Sequence, residues 1–275
     1  MSYSISASYL PGQHGRLFTL HYQPDRPAES GICILVSPPL GEEMNRCRYM
    51  CNLLAQEATG LGMGLLNIDP FGTGDSEGLY RQTNWQTLEE ALLLGADKAK
   101  SLGYHRVILL GIRVGALVAM DVAPRIPNLH SLIFWQPSIS GQSALTQLLR
   151  IKLAASLGRS EDAGSIKQFE QMSSEGQMIE ISGYEVSPEH FQSLKQAHFE
   201  QSIDAVEQPI YWLTTLASAE RKPPRAESQF LEKWVGNGKK IEHFEVIAPP
   251  FWQVHERTLA PTVIEQTVTL LKEMN

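Results

Sequence analysis

The chain has 275 residues, 43% of them hydrophobic and 19% charged, with a net charge of −7 at pH 7. That length and apolar content suit one large α/β core carrying an insertion, and the acidic balance excludes a general nucleic-acid binder or a basic membrane-surface protein. No stretch reaches the roughly 18 uncharged apolar residues that span a bilayer. The opening MSYSISASYLPGQHGR has no basic segment followed by an apolar run, so no secretory leader is expected.

Strand and helix signals alternate along the chain. Phe18–Tyr22 and Ile32–Val36 read as strands, Arg46–Glu57 as a helix, and Gly64–Ile68 as a short strand closed by Asp69-Pro70. Residues Trp85, Leu88, Ala91, Leu92, Ala96 and Ala99 recur at helical spacing and predict a helix over Trp85–Ser101. Val107–Leu110, within a strand over Arg106–Leu110, and Ser131–Trp135 are continuous apolar runs, the pattern of central parallel strands covered on both faces. A helix is predicted over Ala116–Ala123 between them. Ile210–Leu213 and Phe244–Ile247 read as later strands, Pro223-Pro224 as a turn before a helix, and Pro261–Met274 as a final helix with proline in its first turn. Such alternation implies an α/β fold with a mostly parallel sheet and helices on both faces. Residues 138–204 break the rhythm with helical, polar and glycine-marked sequence, including a possible hairpin of Met178–Ser182 and Tyr184–Val186 around Gly183. This segment is expected to form a cap inserted into a core of residues 1–137 and 205–275, over the carboxyl ends of the strands, where open α/β sheets place ligands.

The three cysteines, Cys33, Cys47 and Cys51, are an odd number and fit a reduced, cytoplasmic setting. Cys47 and Cys51 share a helix face and read as small buried hydrophobes, since no further ligand cluster accompanies them. His14, His21, His105, His130, His190, His198 and His243 show no metal spacing, so neither metal nor cofactor is expected.

The segment Gly111-Ile112-Arg113-Val114-Gly115 sits where a strand turns into a helix. The nucleophile elbow of α/β-hydrolases has this layout with the pattern G-x-S-x-G. Arginine stands here at the nucleophile position, and a protonated guanidinium cannot attack a carbonyl. A cation at a helix N-terminus also opposes the helix dipole and calls for an anion. Glu42 and Glu43, in the stretch after the Ile32–Val36 strand, are the candidate partners, and a solvated loop pair is the alternative. The loop Asp69–Gly78 carries D-x-x-G-x-G-x-S and reads as tight turn chemistry, because no Gly-Lys-Ser/Thr follows to cradle a phosphate. The acid and base of a serine triad have only weak candidates: Glu220 after the Ile210–Leu213 strand, and His255 a few residues beyond the last strand. Ser37 and Ser138 have no adjacent base to activate them.

Several stretches together resemble one family. Residues 37–48 (SPPLGEEMNRCR) resemble a P-P-F-x-E-E-M-N motif, Asp69–Gly78 resembles D-x-x-G-x-G-D-S-x-G, and Gly111–Ala116 resembles G-L-R-x-G-A. Trp135-Gln136-Pro137 followed by Gly141–Arg150 resembles W-Q-P and G-x-x-x-L-T-Q-x-L-R. Met178–Pro188 ends in G-Y-E-x-S-P, and Pro249–Gln253 matches P-P-F-W-Q. The set is similar to the second of two α/β-hydrolase families associated with the bacterial exosortase A system. The resemblance implies an α/β-hydrolase fold, a link to exopolysaccharide production and protein sorting, and a partner in that system. Arginine at the elbow would then be the family's own pattern. The matching positions are Glu42, Glu43, Asn45, Arg46, Arg113 and Gln136, and their roles come from chemistry. One reading is an ester or thioester hydrolase in which Glu42 or Glu43 activates water and Arg113 is an electrophilic clamp. The other is an inactive accessory protein that binds a small acyl, sugar or lipid-linked ligand through Arg113, Asn45, Arg46, Gln136 and Trp252. A partner-docking module using Phe251-Trp252 is a third reading.

Overall fold

The computed structural model describes residues 3–158, 165–253 and 258–275. A hairpin opens the chain, with β1 (Tyr3–Pro11) antiparallel to β2 (Arg16–Pro24). The sequence reading misses β1 for a physical reason: nearly all its residues are exposed, so there is no buried face to produce an alternating pattern. Strands and helices then alternate through β3 (Ile32–Ser37), α1 (Glu42–Gly60), β4 (Gly64–Ile68), α2 (Trp85–Ser101), β5 (Arg106–Ile112), α3 (Gly115–Val122) and β6 (Leu129–Trp135). An inserted run follows, made of α4 (Gly141–Gly158), α5 (Ile166–Ser174), the hairpin β7 (Ile179–Ile181) with β8 (Tyr184–Val186), and α6 (Pro188–Gln196). The core resumes with β9 (Ile210–Leu216), α7 (Arg225–Gly236), β10 (Ile241–Ile247) and α8 (Pro261–Met274).

The eight long strands form one sheet in the order β1-β2-β4-β3-β5-β6-β9-β10. Every pairing from β4 to β10 is parallel, and β2 meets β4 antiparallel. Side chains alternate between two apolar layers, as a strand's period of two requires. On β3, Ile32, Ile34 and Val36 join a layer with Met50 and Leu54 of α1 and Leu271 of α8. Cys33 and Leu35 join the opposite layer with Leu92 of α2 and Leu117 of α3. Each such fully buried aliphatic side chain contributes about 2 kcal/mol of transfer free energy.

Two local features position the site. Helix α1 begins at Glu42, a turn before the helix predicted from periodicity, because Gly41 takes a left-handed φ of 56° and turns the chain into the helix. Glu42 and Glu43 therefore occupy the first helical turn, where the dipole favours acidic groups, and are not loop residues. The β7–β8 turn uses Ser182 (φ 53°) and Gly183 (φ 87°), the paired positive φ values of a two-residue hairpin. Cys47 and Cys51 are buried on α1, and burial pushes the Cys51 thiol up to about 12. Among the described residues, no helix is long and apolar enough to cross a membrane.

Candidate functional site

The site forms where β5 turns into α3. Arg113 has a φ of 55°, a conformation that costs a non-glycine residue on the order of 1 kcal/mol. The surrounding backbone fixes it. The Arg113 N–H donates to the Trp135 carbonyl at 3.1 Å, and the Arg113 carbonyl accepts from Ala116 N at 3.2 Å and Ser138 N at 3.1 Å. Glycine at 115 is required by close approach, since a Cβ there would overlap the carbonyl oxygens of Ser37 and Pro38.

The Arg113 side chain is 8% exposed and engaged on four sides. Its Nη2 donates to Gln147 Oε1 at 2.7 Å, and Nη1 donates to the Gln136 carbonyl at 3.2 Å. Its Nε lies 3.5 Å from Glu43 Oε2, an ion pair longer than a good hydrogen bond. Its guanidinium carbon stands 4.9 Å from the centre of the Trp252 ring, a cation–π contact. These partners offset the unfavourable placement of a cation at the start of α3. They also come from four separate parts of the chain: α1, the end of β6, α4 and the loop after β10.

Glu43 is buried at 8% exposure. Burial raises its carboxyl above the ordinary range, and the neighbouring Arg113 cation pulls it back only in part. Glu42, the other candidate partner for Arg113, lies elsewhere. Its carboxylate pairs with Arg46 Nε at 3.2 Å and accepts from Asn45 Nδ2 at 3.0 Å and from the Tyr184 hydroxyl at 3.4 Å. Glu42, Asn45 and Arg46 thus form a separate polar group with Tyr184 of the inserted hairpin. Gln136 has a φ of 43° and turns its side chain away from Arg113. Its Oε1 accepts from the Thr215 N–H at 2.6 Å and the Thr215 hydroxyl at 2.7 Å. Trp252 stacks on Arg113 and edge-on against Phe251.

Among the described residues, the parts of a serine hydrolase do not converge here. Ser37 Oγ donates to the Gly115 carbonyl at 2.7 Å, which occupies its hydroxyl in holding the elbow. The stretch after β3 has prolines at 38 and 39, which have no N–H to offer an oxyanion. Glu220 is exposed and accepts from Ser218, an interaction that lowers its pKa. His255 lies outside the described residues. His243, at the end of the sheet, meets the Thr214 hydroxyl at 2.8 Å. The Asp69–Gly78 loop is held from within and by α1 and β2: Asp69 Oδ2 accepts from Asp75 N at 2.9 Å and from Arg48 Nη2 at 2.8 Å, while Ser76 Oγ accepts from Phe18 N at 2.8 Å.

Glu43 has a second neighbour besides Arg113. It lines a narrow, partly open cleft between the start of α1 and the inserted segment. The walls are mainly apolar, with Leu145, Leu148 and Ile151 of α4 opposite Tyr80 and Glu43. Sequence reasoning misses Gln147, Tyr184 and Tyr80 as neighbours of the candidate residues. The first two lie inside the stretches 141–150 and 178–188 that carry the family resemblance, which is the signal that points to them. Tyr80 carries no such signal.

No family model matches the chain, and no match to a curated protein is found. Solved structures do match over nearly the whole length. Est1E from Butyrivibrio proteoclasticus, in a structure with ferulic acid bound, is similar at 16% identity and a TM-score of 0.65, covering 97% of each chain. A proline iminopeptidase from Mycobacterium smegmatis matches at 16% identity and a TM-score of 0.63, with 98% of each chain covered. The α/β-hydrolase GrgF from Penicillium sp. sh18 matches at 16% identity and a TM-score of 0.63, covering 98% of this chain and 99% of that one. At these identities the likeness concerns architecture, and with the sheet order and elbow described above it settles the fold: this chain has the α/β-hydrolase fold.

Proposed function

We propose that the chain is an acyl hydrolase of a non-serine kind, acting on an ester or thioester, with Glu43 as the general base. One observation carries this reading: a buried carboxyl with a raised pKa stands between a fixed arginine and an apolar cleft. A base is most effective when its pKa approaches the working pH, and burial moves Glu43 in that direction. In the proposed step Glu43 removes a proton from water as the water oxygen bonds to the acyl carbon. The carbon–oxygen or carbon–sulfur bond then breaks, and the leaving alkoxide or thiolate takes the proton from Glu43. Arg113, on the side of Glu43 away from the cleft, holds that carboxyl in place and limits how far burial raises its pKa. Water is the only co-reactant. Residues 138–204 act as a cap over the site, with Asn45, Arg46 and Tyr184 at its rim. The motif resemblance supports a role beside the exosortase and exopolysaccharide machinery, on an acylated or saccharide-linked substrate, and the odd number of cysteines supports a reduced, cytoplasmic setting.

A second reading is an inactive protein that binds the same class of ligand. It is favoured by the number of Arg113 partners, which leave the guanidinium little freedom to follow a reaction. Hydrolysis of p-nitrophenyl esters and acyl thioesters by wild type, Glu43→Gln and Arg113→Met separates the two. Turnover that Glu43→Gln removes, with an acid limb above the ordinary glutamate value of about 4.3, supports the enzyme. Wild-type protein with no turnover leaves the binding reading.

A further inference from the structure

The cleft beside Glu43 contains a polar group that neither the elbow nor the proposed reaction uses. His190 of α6 lines it, is only 1% exposed, and packs edge-on against Tyr80 at 6.2 Å. No described residue lies within hydrogen-bond reach of either ring nitrogen. Buried polar atoms are almost always satisfied, so an imidazole with both nitrogens unpartnered in a cleft wall marks a place for a ligand atom. Burial also pulls His190 down to about 4, which keeps the ring neutral at pH 7. A neutral imidazole offers one donor and one acceptor.

The rest of the wall sets the ligand's character. Leu145, Leu148, Ile151 and Leu194 are aliphatic, and the charged residues in the lining are Glu42 and Glu43. Arg113 is not among the residues that line the cleft, so no cation faces it to receive a carboxylate or phosphate. Glu42 and Glu43 are each already paired with an arginine, so the lining offers an anion no uncommitted cation. We infer that the cleft takes an uncharged, largely hydrocarbon chain bearing a hydroxyl group, and that His190 selects it by hydrogen bonding to that hydroxyl. A hydroxyl both donates and accepts, so it satisfies the imidazole in either tautomer. The inference rests on the proposed reaction at Glu43 and names the class of acyl chain presented to it: one with a hydroxyl along an aliphatic stem.

The test measures binding of 1-octanol and of octanoate at pH 8 to the full chain by protein-detected NMR titration. It compares wild type, His190→Phe, His190→Gln and Leu148→Trp. Octanol is expected to bind wild type about tenfold tighter than octanoate. His190→Phe is expected to lower octanol affinity about fivefold, the worth of one hydrogen bond, and to change octanoate little. His190→Gln, which keeps a neutral donor and acceptor, retains more of the octanol affinity, and Leu148→Trp blocks both ligands by filling the cleft. Equal or tighter octanoate binding, no octanol binding, or octanol affinity unchanged in His190→Phe overturns the inference. If His190→Phe does not fold, His190→Leu supplies the same comparison. Binding requires no turnover, so the two readings fail separately. Octanol binding without Glu43-dependent hydrolysis removes only the enzyme, and hydrolysis without hydroxyl selectivity removes only the inference about His190.

Discussion

Replacing Arg113 by methionine removes the cation beside a buried carboxyl, and the cost has a definite pH dependence. The Nε–Oε2 separation of 3.5 Å corresponds to about 5 kcal/mol of Coulomb attraction at an effective dielectric of about 20. Without that attraction Glu43 will bind a proton before it remains a bare buried charge, and protonation limits the penalty. Measured from an unfolded pKa of about 4.3, holding a carboxyl neutral costs at most about 4 kcal/mol at pH 7 and about 1 kcal/mol at pH 5. The sign follows from the direction of the shift. A carboxyl whose folded pKa is raised stabilises the fold fully below its unfolded value, and that contribution is lost as pH rises through the folded value. The lost bonds to Gln147 and the Gln136 carbonyl add a part that does not depend on pH, about 1 kcal/mol each. Urea unfolding of wild type and Arg113→Met at both pH values reads the difference. The double variant Arg113→Met/Glu43→Gln is expected to show the pH-independent part alone. An Arg113→Met penalty equal at pH 5 and pH 7 would refute the coupling to Glu43.

Three further outcomes are expected. Glu227→Ala lowers stability by about 3 kcal/mol in urea unfolding, because its buried carboxylate accepts from Trp212 Nε1 at 2.7 Å and from the Thr214 hydroxyl, and both donors would be left without it. Gly115→Ala costs about 3 kcal/mol in the same assay, since the new methyl meets backbone carbonyls that cannot rotate away. His190, held down at about 4 by burial, stabilises the folded chain above the free-histidine pKa of about 6.5 and loses that contribution as pH falls. The loss amounts to about 2 kcal/mol by pH 5. Glu43 acts in the opposite sense over the same range, so the difference in pH slope between wild type and His190→Phe is the quantity to measure, and equal slopes would contradict the assignment.

The central sheet was legible because its strands are buried on both faces and read as unbroken apolar runs, as in Ile32–Val36 and Val107–Leu110. The first strand was not, because exposed residues such as Ile5 and Tyr9 leave no alternation to detect. The elbow could be located from two glycines and an arginine between a strand and a helix. Which glutamate meets Arg113 could not, since adjacent residues differ only in the face they take on α1, and that face depends on the turn at Gly41. Gln136 shows the same limit. Its position beside the elbow follows from the strand pattern, but its positive φ sends the carbonyl to Arg113 and the side chain to Thr215. His190 had no sequence signal, because its environment is made by α4, α6 and the start of α1, which meet only in three dimensions.

The arginine at the turn also bears on how easily this scaffold exchanges one use for another. Gln147, Glu43, Trp252 and the Gln136 carbonyl all take their places from a single guanidinium. A serine at that position would reach none of them, and its neighbours would need to change together before it could act. Single substitutions that start from this chain therefore descend in stability before they gain a nucleophile. The coupling also reaches into the insertion: Gln147 ties α4 to the elbow, so changes to the insertion that suit a different ligand must spare that one position while its neighbours on α4 vary.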